Sequence, residues 1–284
     1  MSDLNLVKEL RKKTGAGFLD CKNALKENNN DIDLSIDSLR KKGLAKATKK
    51  SSREANEGAV GFYNNDNYSV IIKINSETDF SAKSETFLNF LDKLGNLALN
   101  KNDPKLTLEN FLDCIDSDKK VSDLLTEMIA KIGENLIISY LKVIQKKDMY
   151  SNFYIHNPYT KNIGKIVSSV FYSSENNTED IKNFAKNLCM HIAASKPEAI
   201  DVDQLPTELI ENEKKIQEEM IKDSGKPSNV VSKILEGKMK KFYSEVTLLN
   251  QNFVLDPDKT IREAIKEKNI SSAFGLQNYV LVSL

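Results

Sequence analysis

The chain has two histidines and three cysteines among its 284 residues, and each scarcity closes off a class of protein. Cys21, Cys114 and Cys189 are odd in number, far apart and without a C-x-x-C pair. That excludes a disulfide framework and a structural zinc site, leaving reduced thiols. Net charge is missing as well: 41 basic and 41 acidic residues cancel. No whole-molecule field therefore draws nucleic acid or an anionic membrane, and any such binding has to be local. No apolar run approaches the roughly 18–20 residues of a membrane helix. The opening MSDLNLVKEL carries Asp3 and Glu9 where a signal or transit peptide is basic and poor in acid. These absences predict a soluble, cytoplasmic protein.

Catalytic apparatus is equally sparse. His191 lies two positions from Cys189, a spacing that turns the two to different faces of a helix, so a packing histidine is favoured over a thiol nucleophile with its base. His156 falls in an expected strand or loop with no nucleophile motif nearby. No G-x-S-x-G, H-E-x-x-H or G-x-G-x-x-G occurs. The SGKP run at Ser224–Pro227 is not a P-loop: Met220 stands where the first glycine is needed, and Pro227 replaces the hydroxyl residue that would hold Mg²⁺. The expectation is a non-enzyme with no cofactor, no metal site and no direct nucleotide binding.

The length suits several folding units, at roughly 100–150 residues each. The first part carries three helical patterns. Leu6, Val7 and Leu10 repeat until Gly15 and Gly17; Phe18, Leu19 and Cys21 lead to Ala24 and Leu25; Asp31 caps Ile32, Ser35, Ile36 and Leu39, with Gly43 as the expected stop. Residues 40–53 then carry only basic charge, as either a nucleic-acid strip or a solvated linker helix; the lack of interleaved aromatics favours the linker. After Gly58 the period becomes two. GAVGFY and YSVIIKI flank an NNDN turn as a β-hairpin, followed by a helix with Phe87, Phe90, Leu91, Leu94, Leu97 and Ala98 on one stripe. The order recurs with NFYIH, GKIVSSVFY and a helix from Asp180 to Ala194. Pro206 starts a further helix, DSGKP turns the chain, and Val230, Val231, Ile234, Leu235 and Met239 return as the second arm of a helical hairpin. Strand, helix and strand are expected again from Tyr243, with the helix at 258–268. The fold class is therefore α+β. Its parts are a helical module with a basic linker at 1–54, a core subdomain at 55–143, a second, discontinuous one at 144–196 and 233–284, and a hairpin inserted at 197–232.

Phe80 stands where the strand YSVIIKI gives way to a helix. It lies seven residues before Phe87, so it would share that residue's helical face, yet Lys83 and Ser84 interrupt the stripe between them. Periodicity leaves two readings, a core plug and an exposed probe for a partner. Phe18 and Leu19 pose the same alternative on a module too small to bury every large side chain.

Several blocks occur in a fixed order: LVKELRKKTGAGFLDCKNAL from Leu6, SETDFSAK from Ser76, KIGENLIISY from Lys131, HIAASKPE from His191, SGKP from Ser224 and EGKMKKFYSEVTLLNQNFVLDPDKTI from Glu236. Together they resemble the bacterial translation elongation factor Ts family across nearly the whole chain. The resemblance implies a ubiquitin-associated-like helical domain, a two-part α+β core and a coiled-coil hairpin. It implies guanine-nucleotide exchange on the GTPase elongation factor Tu, in protein biosynthesis. Thr78, Asp79, Phe80 and Ser81 would occupy the element that dislocates the partner's Mg²⁺. Arg11, Phe18 and Leu19 would make the amino-terminal contact with the partner, Ile132 and Gly133 a contact near its nucleotide, and His156 a looser one. This sequence departs from the family at Phe18 and Leu19, where methionines are common, and at Ser81, where an aliphatic residue is common. Its end at NYVLVSL implies loss of a terminal helix contact found in some members. No membrane or nucleic-acid partner is expected, and the hairpin is a candidate homodimer surface. Competing readings are an adaptor acting through residues 1–54 and a cysteine-dependent transferase acting through Cys189 and His191.

Overall fold

The computed structural model describes residues 3–222 and 227–284; Ser224, Gly225 and Lys226 of the SGKP run lie outside them. Helices combine with antiparallel strands in an α+β architecture. The chain forms two compact units, Met1–Gln145 with Asn157–Lys165 and Val282–Leu284, and Lys146–His156 with Ile166–Leu281.

The first unit begins with α1 (Asp3–Thr14), α2 (Phe18–Glu27) and α3 (Ile32–Lys50). Their shared core is Val7, Leu10, Cys21, Ala24 and Leu25, and each fully buried leucine contributes about 1.5–3 kcal/mol. Asp31 caps α3 by accepting from the Leu34 N–H at 2.9 Å. Gly43, expected to stop this helix, lies inside it. A side chain there would begin 3.4 Å from Cβ of Ala130, so the glycine permits a close helix crossing and does not cap. The basic segment is consequently the second half of α3 and the turn beyond it, and several of its charges are paired. Arg40 binds Asp123 at 2.8 Å, Lys42 binds Glu27 at 2.6 Å, Lys50 donates to the Gly133 carbonyl, and Arg53 meets Glu77 at 3.4 Å.

Next come β1 (Glu57–Asn64) and β2 (Tyr68–Ser76), paired from Glu57↔Ser76 to Asn64↔Ser69. Asn65 closes their turn by accepting from the N–H groups of Asn67 and Tyr68. Then follow α4 (Asp79–Lys83), α5 (Glu85–Asn100), α6 (Leu108–Leu112), the short β3 (Ile115–Asp116) and β4 (Lys119–Lys120), α7 (Val121–Ile132) and β5 (Leu136–Gln145). β5 pairs with β2, from Tyr68↔Gln145 to Ser76↔Leu136. The expected stripe of α5 is buried at Phe87, Phe90, Leu91, Leu94 and Ala98, against Val70, Ile72 and Ile74 of β2. Gly95, in the middle of that helix, leaves room for the Tyr63 ring: a Cβ there would sit 1.9 Å from a ring carbon.

The second unit contains most of β6 (Tyr150–Pro158) and β7 (Ile163–Ser173), then α8 (Glu179–Ser195), α9 (Thr207–Lys222), α10 (Ser228–Val246), the short β8 (Asn252–Phe253) and β9 (Asp256–Thr260), α11 (Ile261–Ser272) and most of β10 (Gly275–Ser283). β7 pairs with both β6 and β10. Val170, Tyr172, Phe184, Leu188, Leu248, Ile261 and Phe274 form its core, with the rings of Tyr172 and Phe274 stacked at 5.0 Å. Two boundaries differ from expectation. Residues 243–246 continue α10, because Tyr243 is the fourth residue after the buried Met239 and stays in helical phase; Thr247 ends the helix by donating to the Tyr243 carbonyl. The last helix starts at Ile261, where Thr260 and Glu263 form a reciprocal capping box. No helix among the described residues is long and apolar enough to cross a membrane.

Cys189 and His191 are both buried and already engaged. The thiol donates to the Asn152 carbonyl at 3.3 Å, and burial pushes its pKa up, away from the nucleophilic thiolate. His191 Nε2 lies 2.9 Å from Gln251 Oε1, and Nδ1 accepts from the Val254 N–H at 3.3 Å, a pairing that requires the neutral ring with its proton on Nε2. Burial holds the imidazole pKa below its ordinary value, against a raising contribution from Gln251. The unfolded chain therefore takes up the proton first as pH falls. Stability is full above the unfolded pKa of about 6.5 and declines below it, by up to about 1.4 kcal/mol per pH unit, until the folded-state pKa is passed. His191→Gln should remove that slope and cost about 1–3 kcal/mol at pH near 7.5. Urea unfolding of both proteins at pH near 7.5 and near 5 is the check, and identical pH dependence would contradict it.

Candidate functional site

The turn leaving β2 is built from short polar side chains. Thr78 has extended backbone, φ −128° and ψ 155°, and its hydroxyl accepts from the Ser81 N–H, which makes it the N-cap of α4. Asp79 leaves that role to Thr78 and pairs with Lys83 at 2.7 Å. The hydrogen bond from Lys83 holds the Asp79 carboxyl below its usual range. After five residues α4 ends at Ser84, whose ψ of 142° returns the chain to extended geometry while its hydroxyl caps α5 by accepting from Phe87 N–H. The single helical phase that would align Phe80 with Phe87 is therefore broken. Ala82 and Phe87 point into the core, whereas Phe80 is 84% exposed, more than any other large apolar side chain described. The exposed reading of this residue is the one the structure adopts.

A second segment grips this turn from behind. α7 ends at Gly133, which takes the left-handed conformation with φ +88°, and the next residue, Glu134, faces Thr78. The Glu134 carboxylate accepts from the Thr78 N–H at 3.0 Å and from its hydroxyl at 2.7 Å. Burial acts to raise the Glu134 pKa, but hydrogen bonds from Ser81, Thr78 and the backbone outweigh it and hold the group below the usual carboxylate range. Asn135 adds a second layer: its N–H donates to Glu77 at 2.7 Å and its amide to the Arg53 carbonyl at 2.8 Å. The TDF and KIGEN blocks, 56 residues apart between Thr78 and Glu134, are thus one polar cluster. Sequence reasoning selected Ile132 and Gly133 there and missed Glu134, Glu77 and Asn135. The only sequence signal for Glu134 is an acid directly after a helix-ending glycine. Ile132 itself packs against the core.

The other expected positions lie elsewhere. Arg11 is exposed in the last turn of α1, and Phe18 and Leu19 open α2 with exposures of 42% and 71%. Cys21, Ala24 and Leu25 form the buried face of that helix, which turns Leu19 outward. His156 belongs to the second unit, at the end of β6, exposed and 3.1 Å through Nδ1 from the Tyr154 hydroxyl. Val254 and Leu255, between β8 and β9, form a further exposed apolar pair that sequence reasoning passed over.

The family model described as Elongation factor TS matches residues 77–282, from the gripped turn almost to the end of the chain. A curated relative named Elongation factor Ts from Rickettsia rickettsii (strain Sheila Smith) is 39% identical over 293 aligned positions, spanning 100% of this chain and 93% of the relative. The chain belongs to the elongation factor Ts family. Relatives of the same name from Allorhizobium ampelinum and Sinorhizobium fredii are 38% and 39% identical over 262 residues, covering 92% of this chain and 85% of each relative. In this member of the elongation factor Ts family, the matched region begins at Glu77, one residue before the cap of the exposed turn.

The left-handed backbone at Gly133 makes that residue a sensitive point of the cluster. Gly133→Ala meets only the Lys50 ammonium, 3.8 Å from the new Cβ, so its cost is conformational, about 1–2 kcal/mol. Urea denaturation should show that loss, and a variant as stable as the parent would contradict it.

Proposed function

We propose that this chain is a guanine-nucleotide exchange factor that binds elongation factor Tu carrying GDP, disturbs its Mg²⁺ and phosphate site and promotes GDP release. Family membership supports the class of activity. The observation that carries the mechanism is Phe80, 84% exposed at the tip of a capped turn. An aromatic held in water costs solvation free energy and serves as a binding anchor when a partner's pocket takes it in. In this reading Thr78, Asp79, Phe80 and Ser81 form the element that dislocates the partner's metal. GDP in such a GTPase is held jointly by backbone amides, a lysine and Mg²⁺, so displacing the metal's supporting groups weakens the hold on the β-phosphate. Linkage makes the effect reciprocal: the factor lowers nucleotide affinity, and incoming nucleotide expels the factor by the same free energy. No covalent step on this chain is required.

The remaining assignments extend the same reading. Arg11, with the exposed Phe18 and Leu19, forms the amino-terminal contact of a ubiquitin-associated-like module at 1–54. Ile132 and Gly133 contact the partner near the nucleotide, and His156 makes a further contact. Core subdomains at 55–143 and at 144–196 with 233–284 carry these surfaces. Within 197–232 the chain starts a coiled-coil hairpin, whose arms α9 and α10 are linked by Lys238 donating to Gln217 at 2.8 Å, and which offers a homodimer surface. The protein acts in the cytoplasm.

Phe80→Ala separates this reading from a structural role. A buried phenylalanine truncated to alanine costs about 3–5 kcal/mol of folding stability. The exposed one should leave melting nearly unchanged while weakening the productive complex by about 2 kcal/mol or more. Release of a fluorescent GDP analogue from elongation factor Tu, with thermal melting of the free variant, provides the pair of measurements. Release as fast as with the parent chain would refute the assignment.

A further inference from the structure

Apart from the Ser76 hydroxyl, which donates to the Thr78 carbonyl at 2.9 Å, few side chains hold the turn that presents Phe80 in one direction. Its helix, α4, spans five residues and buries one side chain, Ala82. Phe80 is itself in water, and the Asp79–Lys83 pair lies within α4, with 37% and 51% of the two side chains exposed. Such a pair orders the helix surface and leaves the direction of the helix open. Both hydrogen bonds that Thr78 donates go to Glu134, one from the backbone and one from the hydroxyl. One acceptor therefore grips the residue that caps α4, two before Phe80.

Glu134 is in turn fixed from both flanks. Gly133 precedes it in the left-handed conformation that ends α7, with its carbonyl accepting from Lys50. Asn135 follows it, tied through its N–H to Glu77 and through its amide to the Arg53 carbonyl. Charge-assisted bonds to a carboxylate are shorter and stronger than neutral ones, and a bidentate grip fixes direction as well as distance.

We propose that Glu134 is a positioning residue for nucleotide exchange: its carboxylate, held by the Gly133 turn and Asn135, aims the Phe80 turn through its two bonds from Thr78. The inference rests on the exchange reading above and adds to it a residue that acts through Phe80.

The test measures release of a fluorescent GDP analogue from elongation factor Tu against concentration of the full chain, separating the limiting rate from the half-saturating concentration. A misaimed turn still docks through the chain's other contacts. Glu134→Ala should therefore lower the limiting rate by about tenfold or more while moving the half-saturating concentration much less. Glu134→Gln, which keeps one acceptor oxygen, should recover part of the loss. In a Phe80→Ala background, Glu134→Ala should add nothing, since no anchor remains to aim. Amide hydrogen exchange at Thr78 in the free chain supplies a readout independent of the partner, and it should quicken in Glu134→Ala with global melting retained. If Glu134→Ala melts early, Glu134→Gln, which fills the same space, carries the kinetic comparison. A loss in Phe80→Ala with an unaffected limiting rate in Glu134→Ala overturns the positioning role alone. An equal loss with and without Phe80 overturns it as well. Unimpaired release by Phe80→Ala overturns the exchange reading and the positioning role with it.

Discussion

The break at Ser84 is the constraint on which the exposed turn depends. Were residues 79–100 one continuous helix, Phe80 and Phe87 would lie on one face and be drawn inward together. Burying a phenylalanine is worth about 1.5–3 kcal/mol, more than the ~1 kcal/mol of a single cap. Exposure therefore needs several local constraints acting in one direction. Thr78 starts a helix, Ser84 ends it and starts another, and the carboxylate of Glu134 fixes the first cap from outside. Ala82 then takes the inward position.

The polar seam between α3 and α7 works by geometry more than by stability. Ion pairs as exposed as Arg40–Asp123 and Arg53–Glu77 are each worth between about zero and 1 kcal/mol. What they fix is register. Arg40 meets Asp123 near the start of α7, and Lys50 reaches the Gly133 carbonyl at its end. Between them Gly43 lets the two helices approach at Ala130. The helical module is thereby keyed along the length of the helix whose end carries Glu134.

Elements whose signal lies in neighbouring residues were legible in the sequence. The β1–β2 hairpin, the apolar stripe of α5, the helix around His191 and the Asp31 cap follow from alternation, periodicity and capping chemistry, and the structure has each of them. Gly43 misleads for a physical reason: a glycine that ends a helix and one that admits a neighbouring helix are the same letter. The α7 pattern, with Val121, Leu124, Leu125, Met128, Ile129 and Ile132 toward the core, has helical spacing and is readable as such. Its partner is not readable, because nothing near Glu134 in sequence points to Thr78. Phe80 sits between these cases. Its exposure turns on whether Ser84 caps a new helix or continues an old one, and serine does either.

An aromatic ring left bare has a bearing on how the free protein behaves when crowded with copies of itself. Phenylalanine offers at most about 150–250 Å² of apolar surface, below the several hundred Å² at which a patch becomes adhesive. At Phe80 that surface is bordered by charge: Asp79 and Lys83 lie in the same short helix, and the charge of Lys165 also reaches the Asp79 carboxyl. The ring is large enough to fill a matching pocket and too isolated to drive self-association. Phe80 therefore gives copies of the chain no cause to associate through this turn, and its ring stands uncovered between encounters.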